Sequence, residues 1–236
     1  MVDMEFIQII KNKILIAGIG LCYIFLSTSS VRAQEYDTKK YAAEIKAFDK
    51  KDSLEGLKPG ANLFTGSSTL RMWPDMQSYF PGALVMNRGF GGSTFRDLLY
   101  YADRLILGYK PAKVFIYEGD NDIAAGVSVE ETLKQAIEIR ERIAKSLPGV
   151  PVAFIGVKPS IARWHLKEKY IDFNSHLEDY CKKTRNTAFI DVWKPMLDDH
   201  GAVRPVFLKD NLHMNAEGYQ IWKKAIAPYL IPKKKI

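Results

Sequence analysis

The chain has 236 residues, 47% hydrophobic and 26% charged, so it can bury a full core, and its length suits one domain better than two. The formal net charge of +7 is compatible with anionic surfaces or substrates. Apart from the terminal Lys233, Lys234 and Lys235 the basic residues are scattered, with no basic stripe interleaved with aromatics, which argues against a nucleic-acid binder.

The first 33 residues read as a signal peptide and residues 34–236 as a single domain. Lys11 and Lys13 precede an apolar run from Ile14 to Leu26, and Val31-Arg32-Ala33 offers a cleavage site after Ala33. That run is short for a membrane span, which makes an uncleaved anchor the weaker reading. Lipid attachment at Cys22 is weaker again, because bulky Leu21 precedes it. The expected product is secreted or periplasmic, with no stable membrane insertion of the mature chain. Cleavage removes Cys22 and leaves only Cys181, which cannot form an internal disulfide and reads as a structural, buried thiol.

A Lys-rich helix is expected over residues 38–52, then a strand over 62–65. Directly after that strand comes Gly66-Ser67-Ser68-Thr69, where Gly66 allows a sharp turn that can present a serine hydroxyl near a helix N-terminus. Alone, such a Gly-Ser-Ser segment reads as a turn or cap. A second strand over 83–87 leads into Arg88-Gly89-Phe90-Gly91-Gly92-Ser93, whose glycines let backbone N–H groups approach a ligand. The spacing fits no dinucleotide or phosphate-loop pattern, and a tight strand-to-helix turn is the plain alternative. A helix over 93–107 follows, then a strand over 113–117 and Gly119-Asp120-Asn121-Asp122. There Asn121 can donate to a developing oxyanion. An Asx turn and a metal site are the alternatives, the latter disfavoured by the lack of nearby His and of calcium-loop spacing.

Ser128 with Glu130 and Glu131 starts a helix over 129–146, and Leu147-Pro148-Gly149 stops it. A strand over 152–157, a helix over 165–183, a strand over 188–192 and a helix over 216–229 complete the pattern. Strands alternating with helices imply an α/β fold with a parallel sheet covered on both faces. Before the last helix stands Asp210-Asn211-Leu212-His213. Of the four histidines, His213 alone has an acidic residue three positions earlier, a separation that lets a carboxylate orient the imidazole.

Taken together, Gly66-Ser67-Ser68-Thr69, Gly92, Gly119-Asp120-Asn121-Asp122 and Asp210-Asn211-Leu212-His213 resemble the sequence blocks of the SGNH/GDSL hydrolases over nearly the whole mature chain. Ser67 and Thr69 depart from the Asp and Leu of the Gly-Asp-Ser-Leu motif. The resemblance implies a three-layer flavodoxin-like fold with strand order 2-1-3-4-5. It also implies a serine mechanism with Ser68 as nucleophile, His213 as base and Asp210 as its orienting partner. Donors to the oxyanion would come from the Ser68 and Gly92 amides and the Asn121 side chain, with no metal or organic cofactor. The stretch from Ser68 to Trp73, with residues 87–92, is similar to bacterial relatives of platelet-activating-factor acetylhydrolase, which favours a short acyl group such as acetyl. Export favours a polymer or envelope molecule, such as an O-acetylated polysaccharide, over a cytosolic thioester, and the expected partner is a small-molecule or polysaccharide ester. Arg71, Trp73, Phe90 and the pair Arg163-Trp164 are candidate contacts for the alcohol side, with packing or surface roles as the alternative. A lysophospholipase or thioesterase with a longer acyl channel, and a non-catalytic binding module, are the competing functions.

Overall fold

A computed structural model describes residue 37, residues 39–73 and residues 75–233. The expected signal peptide lies outside these residues. The first helix, α1 (Ala42–Glu55), starts and ends later than expected; Tyr41 and Ile45 anchor this polar segment in the core and Phe48 packs against it. Five strands follow: β1 (Asn62–Gly66), β2 (Val85–Gly89), β3 (Lys113–Tyr117), β4 (Val152–Ile155) and β5 (Thr187–Ile190). They form one all-parallel sheet in the order β2-β1-β3-β4-β5. Between them run the short α2 (Ser68–Arg71) and α3 (Met76–Tyr79), α4 (Phe95–Leu105), the short α5 (Asp120–Ala124), α6 (Val129–Ser146) and α7 (Lys167–Lys183); α8 (Ala216–Ile226) comes last.

Alternation along each strand splits the core into two layers, because successive side chains leave a strand on opposite faces. Leu63, Val114, Ile116, Val152 and Phe154 pack under α1, α4, α6 and α7. Phe64, Phe115, Tyr117, Ala153, Ile155 and Ile190 pack under α2, α3 and α8, where Trp73, Tyr219 and Trp222 fill the space. Cys181 is buried in the first layer, and burial raises its thiol to about 12, as suits an inert structural cysteine.

Several element ends differ from expectation for local reasons. β2 begins at Val85 because Ala83 instead pairs with Pro232 in an isolated bridge. β4 stops at Ile155, and the Asn174 side chain takes over the ladder by bonding both the Val157 amide and carbonyl at 2.8 Å. β5 stops at Ile190, where Asp191 turns the chain by accepting the Trp193 amide at 2.8 Å. Thr94 and Asp97 form a capping box, which starts α4 at Phe95.

Register fixes where the loops meet. Gly66 of β1 lies opposite Gly89 of β2 and Tyr117 of β3, so the carboxyl ends of three adjacent strands are level. Ser68, Gly92 and Asn121 each follow one of those ends within a few residues. In open parallel sheets that edge is where ligands bind.

Candidate active site

The turn that carries Ser68 requires glycine. Gly66 has φ of +133°, and a Cβ there would stand 2.0 Å from the Tyr117 carbonyl oxygen. The chain can therefore leave β1 at once, and Ser68 becomes the first residue of α2. Its Oγ lies 2.9 Å from His213 Nε2. On the other side of the ring, His213 Nδ1 lies 2.6 Å from Asp210 Oδ2. Asp210 Oδ1 accepts the Leu212 and His213 amides, each at 2.9 Å, which locks the carboxylate to its own turn.

Desolvation pushes the Asp210 carboxyl upward, but the bonds from His213 and the two amides outweigh it and hold it down at about 2. A carboxylate in that state accepts from Nδ1–H, leaving Nε2 as an acceptor facing the serine hydroxyl. His213 does not sit on a helix. It belongs to a loop tied by the Leu208 amide to the His213 carbonyl at 2.7 Å and by a bridge from Phe207 to Met214. Asn215 then caps α8.

Three potential anion donors follow the level carboxyl ends of β1, β2 and β3. Among the described residues, neither the Ser68 nor the Gly92 amide has a hydrogen-bond acceptor. Gly92 has φ of +67°, and its carbonyl is held from behind by the Tyr41 hydroxyl at 3.1 Å. Asn121 is placed in the first turn of α5, which Gly119 caps. Its Oδ1 accepts from Arg163 at 3.0 Å and its Nδ2 donates to the Ser93 carbonyl at 2.9 Å. Both partners are of one kind, donor and acceptor respectively, so the amide orientation is unambiguous, and one Nδ2–H stays free.

Two buried ionisable groupings support these loops. Behind the Gly92 loop, Ser93 Oγ donates to Glu118, and Asp122 accepts the Phe95 amide at 3.0 Å and the Gly119 amide at 3.1 Å. Burial, reinforced by the neighbouring Asp122 charge, holds Glu118 well above the usual carboxylate range. Burial likewise pushes Asp122 up to about 6 against its amide bonds. On the far side, Asp120 collects Arg163, Lys158 at 3.6 Å and the hydroxyls of Tyr117 at 3.1 Å and Tyr170 at 2.9 Å. Lys158, with 0% of its side chain exposed, also donates to the Leu212 carbonyl at 2.8 Å, inside the loop that carries Asp210 and His213. The one sequence signal was a lysine closing the apolar 152–157 run at the carboxyl edge of the sheet.

The expected alcohol-side contacts fare unevenly. Phe90 is 0% exposed and packs edge-on against Tyr41 and Tyr101, so that expectation is corrected: its ring turns into the core beneath the glycine loop. Trp73 is 1% exposed and stacks on Tyr219, which leaves it only the back wall of a cleft of about 250 Å³. That cleft is bordered by Met72, Leu208 and Met214, neighbours of the Ser68 and His213 segments. Arg71 is half exposed and faces Glu44 at 3.9 Å. Arg163 has two guanidinium nitrogens committed to Asp120 and Asn121, and Trp164 stacks on Trp193. Among the described residues no group of three or more His, Cys, Asp or Glu side chains is placed to hold a metal ion, and no helix is long and apolar enough to cross a membrane.

Comparison with known proteins agrees with the fold. The model of the GDSL-like lipase/acylhydrolase family matches residues 56–221. No curated protein matches the chain. Among solved structures, a Streptococcus pneumonia protein named for platelet activating factor is similar with a TM-score of 0.72 at 21% identity, over 97% of this chain and 100% of that one. A GDSL-like lipase from Bacteroides thetaiotaomicron aligns with a TM-score of 0.67 at 21% identity, over 79% of this chain and 97% of that one. An acetyl xylan esterase from Geobacillus stearothermophilus gives 0.59 at 15% identity, over 75% and 99%. The all-parallel sheet in the order β2-β1-β3-β4-β5 and the match across most of the sequence place this chain in the GDSL-like lipase/acylhydrolase family.

Proposed function

We propose that the protein is an exported serine esterase that hydrolyses short-chain O-acyl esters, acetyl esters of carbohydrate foremost. The observation that carries this reading is the unbroken hydrogen-bonded chain from Asp210 through His213 to Ser68, with the Ser68 and Gly92 amides lacking an acceptor among the described residues and with Asn121 at the neighbouring strand end. Ser68 Oγ attacks the ester carbonyl carbon while its proton passes to His213 Nε2. The carbonyl oxygen gains negative charge and receives the Ser68 and Gly92 amides and the free Asn121 N–H. The C–O bond to the alcohol then breaks, and the alcohol leaves with the proton from His213. Water, giving a proton to the same nitrogen, attacks the acyl-serine and releases the acid, and the proton returns to Ser68.

A short acyl group is supported by the similarity of the Ser68–Trp73 stretch to bacterial relatives of platelet-activating-factor acetylhydrolase, and carbohydrate by the expected export and the similarity to an acetyl xylan esterase. A second reading, longer acyl chains, is favoured by the apolar cleft against Met72 and Met214. Hydrolysis of p-nitrophenyl esters from acetate to palmitate, together with acetylated xylan, separates the readings. The first expects kcat/KM to peak at acetate or butyrate and acetate to be released from xylan. A maximum at octanoate or beyond favours the second, and folded protein that turns over none of them leaves a binding module.

A further inference from the structure

Arg163 lies 42 positions from Asn121 in sequence, yet its guanidinium reaches both members of the Asp120-Asn121 pair. One nitrogen donates to Asp120 Oδ1 and the other to Asn121 Oδ1 at 3.0 Å. That is the fork geometry a lysine cannot reproduce. We infer that Arg163 is a positioning residue for the oxyanion: its fork, anchored on Asp120, fixes the Asn121 amide and polarises it toward the reacting carbonyl. The inference rests on the serine-esterase reading above and adds a residue to it.

Two observations and one electrostatic principle carry it. The Asn121 amide is gripped at both ends, by Arg163 on the oxygen and the Ser93 carbonyl on the nitrogen, so the remaining N–H has one direction left. A cation bonded to an amide oxygen draws electron density from the nitrogen, and hydrogen bonds in such a chain strengthen one another in a low-dielectric setting. The grouping also sets the charged guanidinium of Arg163 against the Asn121 amide oxygen. Asp120 is one carboxylate facing Arg163 and Lys158, the latter pushed toward its neutral form by burial, with the Tyr117 and Tyr170 hydroxyls sharing its charge. Burial opposes the charge on Asp120, but the two cations outweigh it and keep the carboxyl below its usual range. An oxyanion forming at the free Asn121 N–H therefore meets a preorganised positive field whose stabilisation is realised only as charge develops.

The anchor survives loss of the arginine, because Asp120 keeps Lys158 and both tyrosines. Arg163→Met is expected to fold and to lower kcat for p-nitrophenyl acetate by about 10- to 100-fold, the equivalent of one hydrogen bond to a charged group, with KM unchanged. Arg163→Lys should recover the melting temperature through Asp120 but not kcat, since it cannot hold both oxygens. In an Asn121→Ala background, Arg163→Met should cost less than about 3-fold more, because the group it acts through is gone. Loss of kcat in Asn121→Ala with the two effects multiplying in full, or full kcat in Arg163→Met or Arg163→Lys, would overturn the inference and leave the esterase reading standing. Wild-type kcat in Asn121→Ala would instead remove Asn121 from the oxyanion and overturn both.

Discussion

Replacing Asp210 by Asn changes one atom, and the structure dictates which proton moves as a result. Asp210 Oδ1 accepts two backbone amides at 2.9 Å while Oδ2 takes His213 Nδ1 at 2.6 Å. In Asp210→Asn the side-chain carbonyl must stay on the two amides, because an NH2 group there would set donor against donor. The NH2 then faces Nδ1, which has to become an acceptor, and the ring proton shifts to Nε2. Nε2 meets the Ser68 hydroxyl as a donor and can no longer take its proton. Loss of the correct tautomer in a serine triad costs ~10⁴ in kcat, about 5.5 kcal/mol of barrier. Asp210 is 46% exposed, so the fold should tolerate the change, with a melting temperature within about 2 °C of wild type. Asp210→Ala leaves the ring free to adopt either tautomer with water and should be less impaired than Asp210→Asn. Turnover of p-nitrophenyl acetate at pH 7.5, with melting curves for both variants, measures this. An Asn variant that keeps more than about a tenth of wild-type kcat would refute the tautomer argument.

Glu118 gives a signed pH prediction. Its carboxyl is raised in the fold, so its contribution to stability is full below the unfolded value near ~4.3 and is lost as pH rises toward the folded value, at about 1.4 kcal/mol per pH unit. Glu118→Gln keeps an acceptor for Ser93, so it should match wild type in denaturant melts at pH 4 and exceed it at pH 8; parallel profiles would contradict the buried neutral acid. Gly66→Ala forces a Cβ into the β3 backbone at positive φ and should cost upwards of ~2 kcal/mol together with most of the turnover, which melting curves and kcat will report. A wild-type Gly66→Ala would show that the turn can relax. Mass spectrometry of protein from its native cell should find the N-terminus at Gln34, and a full-length membrane-held species would identify the first 33 residues as an anchor.

The parallel sheet was legible because each strand is a short apolar run closed by a glycine, an Asn or a charged residue, and because three of the four motifs stand at those closures, the fourth preceding the last helix. The strand ends were less so. Ala83 and Val157 look like strand residues, but one pairs with the chain's far end and the other bonds a helix side chain, partners that no local window contains. Phe90 shows the limit of reading motifs by proximity. An aromatic between glycines resembles a ligand contact, whereas its ring fills the hole that Tyr41 and Tyr101 leave under the loop. Lys158, Asp120 and Arg163 escaped for a different reason. Asp120 opens α5 after β3, whereas Lys158 and Arg163 lie in the segment between β4 and α7, and a charge becomes a counterion only once the topology brings those segments to one edge.

The central claim is that Ser68 is the nucleophile, and covalent labelling tests it most directly. Incubation with a fluorophosphonate should add one adduct per chain, abolish ester hydrolysis in step with labelling, and map by peptide mass spectrometry to Ser68, with no adduct in Ser68→Ala. An adduct on Ser67 or elsewhere, or a Ser68→Ala protein that hydrolyses p-nitrophenyl acetate at the wild-type rate, would contradict the account.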